Sequence, residues 1–175
     1  MLLASRSHHH ASTVPEDAGA PHGPLLRDSS FMTTSRMLQL FSHGCGAPPA
    51  AGARIVYVDG GWDLFHAGHV EFLAAAASLG DYLIVGVHSD AVVNRHRGSH
   101  FPVLNLCERV LSVLSCRHVS DVVVGPPWHL TREMVAALRI SIVAHGTTHD
   151  VNDDEGSDPY AVPKEMGIFA SLPSP

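Results

Sequence analysis

The residue types and spacing that best suit chemistry fall in one run, Asp59-Gly60-Gly61-Trp62-Asp63-Leu64-Phe65-His66-Ala67-Gly68-His69. His66 and His69 stand three residues apart, a spacing that places both imidazoles on one side of a helix. A helix beginning here adds unpaired backbone N–H groups and the positive end of its dipole, both of which favour an anion. Gly68 has no side chain and lets a phosphate approach the backbone. Such a pair suits nucleotidyl transfer. Charge grows on the oxygens of an α-phosphate while pyrophosphate leaves, and donors fixed in place stabilise it without a covalent intermediate. Two other readings of the pair stay open at this level: polar caps on a helix start, and zinc ligands. The zinc reading lacks a third ligand at suitable spacing, so no metal site is assigned.

A site of this kind needs a strand that ends at it and a helix that leaves from it. Ile55 to Val58 is a short apolar run meeting Asp59-Gly60-Gly61, the pattern of a buried parallel strand entering a tight loop. Gly68 to Leu79 reads as the helix, with Gly80 as its stop. A second strand is expected over Tyr82 to Val87, then a loop or frayed helix over Asn94 to Gly98. Leu106 to Leu114 carries Leu106, Val110, Val113 and Leu114 on one helical stripe. Val122 to Gly125, Thr131 to Leu138 with Thr131 as N-cap, and Ile140 to Ala144 give strand, helix and strand again. A short helix near Pro159 to Met166 leads into Ile168-Phe169. This alternation predicts an α/β fold: a Rossmann-like, doubly wound parallel sheet with helices on both faces. Ligands bind such sheets at the carboxyl ends of their strands, where the histidine pair falls.

The chain of 175 residues is 45% hydrophobic and only 6% aromatic, a balance that suits an aliphatic core in a single ordinary domain. That domain is expected over residues 53–172. Residues 1–30 mix Ser, His, Pro, Gly and Ala without period and read as a disordered leader. Residues 31–52 read as a short amphipathic helix, Phe31 to Phe41, followed by a linker. The net charge of −6, with 11 Lys and Arg against 17 acidic residues, argues against a nucleic-acid partner. No apolar run approaches the roughly 20 residues of a transmembrane helix. Cys45, Cys107 and Cys116 form no CxxC pair and suit free thiols in a reducing compartment, so a soluble cytoplasmic location is expected.

The run from Asp59 to His69 resembles the nucleotide-binding signature of the cytidylyltransferase family. The stretch Asn105 to Val123, N-L-C-E-R-V-L-S-V-L-S-C-R-H-V-S-D-V-V, is similar to N-L-H-E-R-x-L-S-V-L-A-C-R-Y-V-x-E-V-V in the second half of two-domain members that act on phosphoethanolamine. The likeness runs from about Phe31 to about Phe169. It implies transfer of CMP from CTP, bound with Mg²⁺, to phosphoethanolamine, giving CDP-ethanolamine and pyrophosphate for phospholipid synthesis. By the same resemblance His66 and His69 grip the triphosphate, Gly60 and Gly61 line the pocket through their backbone, and Asp63 steadies the turn. Arg109 would contact phosphate, Arg97 stands in a basic loop where catalytic members carry Lys, and Trp128 resembles an aromatic near the nucleotide. A structural ion pair for Arg109 and a core or lid role for Trp128 stay open.

Two departures from the family pattern bear on activity. Thr147-Thr148 follow His145-Gly146, where the family usually has an Asp that helps read the cytosine. A Ser/Thr-rich phosphate-holding segment is expected after Gly167-Ile168-Phe169, but Ser171 to Pro175 do not supply it. The sequence also matches a second half without a first, and so reads as a truncated form. The alternative to an active enzyme is therefore a non-catalytic or regulatory nucleotide-binding half that packs against a complete catalytic domain. For either reading, pairing of domains or of two copies, and a cytoplasmic location peripheral to endomembranes, are further expectations. An adenylyltransferase, or phosphocholine or glycerol phosphate as acceptor, are further alternatives; a class I tRNA synthetase is set aside because no KMSKS-type loop is found.

Overall fold

The computed structural model describes residues 49–147 and 158–173, so the expected leader and the Phe31 to Phe41 helix lie outside the described residues. Strand β1 is Ile55–Gly60, followed by helix α1, Ala67–Ala77, and β2, Tyr82–Val87. Helices α2, Asp90–Arg97, and α3, Leu106–Leu114, precede β3, Asp121–Val124. Helix α4, Arg132–Ala137, leads to β4, Ile140–Gly146, and α5, Ala161–Glu165, leads to β5, Phe169–Leu172.

The strands form one sheet in the order β3-β2-β1-β4-β5, every neighbouring pair parallel. The chain winds outward from β1 through β2 to β3, then crosses back to lay β4 on the other side of β1. The reversal between β1 and β4 is a topological switch point, and it opens a crevice at the carboxyl ends of those two strands.

Because side chains alternate along a strand, β1 feeds two cores. Val56 and Val58 pack with Leu73 of α1 and Val113 of α3 on one face. Ile55 and Tyr57 pack with Met134 and Val135 of α4 on the other. Helices therefore cover both faces, and the predicted doubly wound α/β architecture is the one observed.

Local chemistry sets the helix starts. Thr131 caps α4 as expected, its Oγ1 accepting the Met134 N–H at 3.2 Å. Asn105 and Glu108 form a reciprocal capping box on α3, with N–H to side-chain distances of 3.0 and 3.1 Å. Asn94 to Gly98, expected as a loop or frayed helix, is largely the second half of α2. Ser89 caps that helix, and Arg95, His96 and Arg97 sit in its last turn, where cations suit the dipole. The fifth strand is also longer than Ile168-Phe169 suggested, because pairing with β4 carries it to Leu172.

Candidate functional site

A cleft of about 220 Å³ lies at the switch point. Gly60, Gly61, Trp62, His66 and His69 wall it from the β1–α1 side, His145 and Gly146 from the end of β4, and Asp59 contributes from the tip of β1. The structure thus brings together four of the expected site residues, Gly60, Gly61, His66 and His69.

His66 is the N-cap of α1. Its Nδ1 accepts the Gly68 N–H at 3.1 Å, while its own backbone N–H donates to Nδ1 of His69 at 3.3 Å. With both Nδ1 atoms acting as acceptors, each neutral ring carries its proton on Nε2. Capping and ligand binding are therefore not competing roles here: Nδ1 serves the helix and Nε2–H remains as a donor. The rings stack with centroids 4.0 Å apart, and Phe65 and Trp62 also pack against His69, at 5.3 and 5.4 Å. Burial, helped by the neighbouring His66 and Arg97, pulls the pKa of His69 down to about 4, against the opposing pull of Asp63. At neutral pH His69 is therefore an uncharged donor.

The loop before this pair is held in an uncommon shape. Trp62 and Leu64 adopt left-handed φ values of 52° and 47°, a conformation that costs roughly 1–2 kcal/mol per non-glycine residue. Fixed side chains offset that cost. The Trp62 indole N–H donates to the Gly86 carbonyl at 2.8 Å, tying the loop to β2. Asp63 accepts from the N–H groups of Val103 at 2.6 Å, Leu104 at 2.9 Å and Leu64 at 3.1 Å. Partial burial works against the Asp63 charge, but these three donors outweigh it and hold its carboxyl below the ordinary aspartate range. Asp63 is a clamp on the turn rather than a wall of the cleft.

Arg109 lies elsewhere than a phosphate contact requires. It has no exposed surface. Its Nε donates to the Leu104 carbonyl at 3.0 Å, Nη1 to Gly61 at 2.6 Å, and Nη2 to His88 at 2.8 Å and to the carboxylate of Asp90. The guanidinium ties together the β1–α1 loop, the end of β2 and the start of α2, so the ion-pair alternative describes the structure. A phosphate could reach it only by breaking that brace.

Arg97 is exposed at the end of α2. Its Nη1 lies 3.8 Å from the point where a Cβ on Gly61 would sit, which puts it on the cleft rim. Trp128 does not line the cleft. Its indole is stacked on His96 at 3.7 Å and 8°, with His88 at 5.2 Å.

Two residues unassigned at the level of sequence belong to the site. Asp59 is 6% exposed, and its Oδ1 accepts the Tyr160 hydroxyl proton at 2.6 Å. Its Oδ2 has no hydrogen-bond partner. Burial, then the charge of Asp59, raises the Tyr160 pKa well above its usual value, so the hydroxyl stays a donor. The Tyr160 ring in turn packs on His145 at 4.7 Å. Asp59 was legible as the residue before the glycine pair; Tyr160, 101 residues away, had no comparable local signal. Thr147 closes β4, its N–H donating to the Leu172 carbonyl at 2.9 Å, and Thr148 lies outside the described residues.

Comparison with known proteins agrees with this geometry. Residues 57–158 match the family described as Cytidylyltransferase-like. The ethanolamine-phosphate cytidylyltransferase of Arabidopsis thaliana is 48% identical over 171 residues, 97% of this chain and 40% of that protein. The Dictyostelium discoideum protein of the same name is 51% identical, over 98% of this chain and 50% of its own length. Choline-phosphate cytidylyltransferase A of Homo sapiens is 44% identical over 66% of this chain and 31% of that protein. The chain thus spans 40–50% of the length of the first two relatives. A lipopolysaccharide core biosynthesis protein from Thermoplasma volcanium superposes with a TM-score of 0.56 at 19% identity, covering 71% of this chain and 99% of its own, which shows the shared fold. On the family match across residues 57–158 and the paired histidines at the switch point, the chain belongs to the cytidylyltransferase-like family.

Proposed function

We propose that this domain transfers CMP from CTP to phosphoethanolamine, forming CDP-ethanolamine and pyrophosphate. The observation that carries the reading is the opposition of groups in one cleft: two histidine Nε2–H donors at a helix start, and a buried carboxylate oxygen of Asp59 without a partner. A nucleotide triphosphate matches the first. A small acceptor with a phosphate at one end and an ammonium at the other matches both together, since a buried unpaired carboxylate oxygen favours a cationic donor. The names of the ethanolamine-phosphate cytidylyltransferase relatives support the same substrate.

In this reading an oxygen of the acceptor phosphate attacks the α-phosphorus of CTP, the bond to the β-phosphate oxygen breaks, and pyrophosphate departs. His66 and His69 donate from Nε2 to the phosphate oxygens on which charge grows, and their position is set beforehand by the caps on Nδ1. Arg97 supplies positive charge at the rim. Among the described residues no three His, Cys, Asp or Glu side chains converge. Mg²⁺ suits this arrangement because it binds chiefly through nucleotide phosphates and retained waters, and it would neutralise phosphate charge as CTP enters.

No helix among the described residues is long and apolar enough to cross a membrane, and the reading places the domain in the cytoplasm, where CTP is available. A second reading is a nucleotide-binding half that packs against a complete catalytic domain. Thr147, standing where an acidic base reader is expected, supports it. One assay separates the two: CTP, Mg²⁺ and phosphoethanolamine are incubated with the chain, and CDP-ethanolamine and pyrophosphate are measured. Equal amounts of both products support transfer; nucleotide binding without either product supports the second reading.

A further inference from the structure

Helix α2 is short and polar, with Val93 as its one buried side chain. Eight residues do not hold a helix by themselves in water, so both ends of α2 rely on partners elsewhere in the fold. At the first turn Arg109 pairs with the Asp90 carboxylate. At the last turn the partner is aromatic: the His96 ring lies on the Trp128 indole, centroids 3.7 Å apart and planes 8° from parallel. Trp128 is itself well fixed. The Gly125 N–H donates to the Val87 carbonyl at 2.9 Å, the Pro126 ring packs against Gly86, Pro127 has a locked φ, and His88 meets the indole at 5.2 Å. Arg97, the residue after His96, faces a different loop. A Cβ placed on Gly61 would lie 3.6 Å from Val93 and 3.8 Å from Arg97 Nη1, so these two residues, one turn apart, both look onto the glycine turn of the cleft.

We infer that His96 is a positioning residue: by stacking on Trp128 it fixes the last turn of α2 and so holds the Arg97 guanidinium beside Gly61, where the phosphates of a nucleotide bound by His66 and His69 would meet it. The inference rests on the nucleotide reading above. An arginine side chain has several rotatable bonds, and they must be frozen when it closes on a phosphate. Anchoring the backbone that carries it removes part of that cost before the ligand arrives. Asn94 shapes the loop beyond the helix instead, its Nδ2 donating to the Gly98 and Phe101 carbonyls at 3.3 and 3.1 Å. The stack ties the turn itself to the loop between β3 and α4. Burial, His66 and then Arg97 pull the His69 pKa down to about 4, which places the Arg97 charge within reach of the histidine pair. Trp128, outside the cleft lining, thereby bears on the site through its neighbour.

The test is calorimetric titration of CTP with Mg²⁺ into the full chain and into His96→Ala, His96→Phe, Arg97→Ala and the His96→Ala/Arg97→Ala double variant, with NMR of the Trp128 ring in each. Alanine favours helix, so these variants keep the fold. His96→Ala should move the Trp128 ring resonances and weaken CTP by roughly three- to tenfold, the range set by the loss of one aromatic pair. His96→Phe, which restores a flat ring on the indole, should bring both back towards the wild type. Once Arg97 is removed, His96→Ala should cost nothing further, because His96 acts through it. An unmoved Trp128 signal in His96→Ala, a phenylalanine variant as weak as the alanine one, losses that add in the double variant, or an Arg97→Ala variant that binds CTP as the wild type does would each overturn the positioning role and leave the nucleotide reading standing. A wild type that binds no CTP ends that reading and the positioning role with it.

Discussion

The backbone N–H of His66 donates to Nδ1 of His69 at 3.3 Å, so the second histidine of the pair caps the helix that the first one starts. One hydrogen bond thereby fixes the orientation of a ring, its tautomer and the direction of its remaining donor. Helix capping uses Nδ1 of both side chains and leaves Nε2–H for the phosphate contacts proposed above.

Nucleotide binding should take up protons below neutral pH. His69 is held at about 4 in the free protein, and a triphosphate beside it favours the imidazolium, so the bound pKa rises. CTP affinity should therefore strengthen as pH falls from about 7 towards about 5. Calorimetry at pH 6 in buffers of different ionisation enthalpy should show proton uptake, and His69→Asn should show less.

The same histidine makes folding sensitive to acid in a stated direction. Its folded pKa, about 4, lies below the ordinary histidine value of 6.5, so the unfolded chain binds more protons between those limits. The stability it contributes is present above pH 6.5 and is lost as pH falls towards 4. His88, also lowered chiefly by burial, adds to the same trend. Urea midpoints measured across that range should fall in acid, and less steeply in His69→Asn than in the wild type.

Arg109→Ala should destabilise the fold by roughly 3–5 kcal/mol, because it leaves the buried Gly61 and His88 carbonyls without their donor, frees the Leu104 carbonyl and empties the space of a fully buried side chain. Arg109→Lys should recover little, since an ammonium cannot reproduce the planar fork. Thermal unfolding checks both. Variants that melt normally yet lose CTP affinity would instead place Arg109 on a phosphate.

Asp63→Asn keeps the shape of the clamp but turns one acceptor into a donor facing an N–H. It should cost about 1–3 kcal/mol and loosen the segment from Phe101 to Leu104. Amide exchange at Val103 and Leu104, read by NMR, should speed up in the variant.

Much of this molecule was legible because its signals are local. The apolar run Ile55 to Val58, the glycine pair and the histidine spacing all lie within fifteen residues, and they fixed β1, α1 and the switch-point site. Polarity left Asn94 to Gly98 between a loop and a frayed helix; the Ser89 cap and the dipole of α2 settle it as helix to Arg97. Arg109 had the charge for a phosphate, but its four acceptors come from Leu104, Gly61, His88 and Asp90, which only the folded chain assembles. Tyr160 was invisible for the same reason: its partner Asp59 is 101 residues away.

If His66 and His69 bind the phosphates of a cytidine nucleotide through Nε2–H, CTP binding needs both side chains. The most direct measurement is calorimetric titration of CTP and ATP, each with Mg²⁺, into the wild type and into a His66→Asn/His69→Asn double variant. Asparagine retains an acceptor close to Nδ1 for the caps but has nothing at the position of Nε2–H. Micromolar CTP binding to the wild type, much weaker ATP binding, and loss of CTP binding in a variant that still folds are the expected results. A folded double variant that binds CTP as the wild type does, or a wild type that binds neither nucleotide, would contradict it.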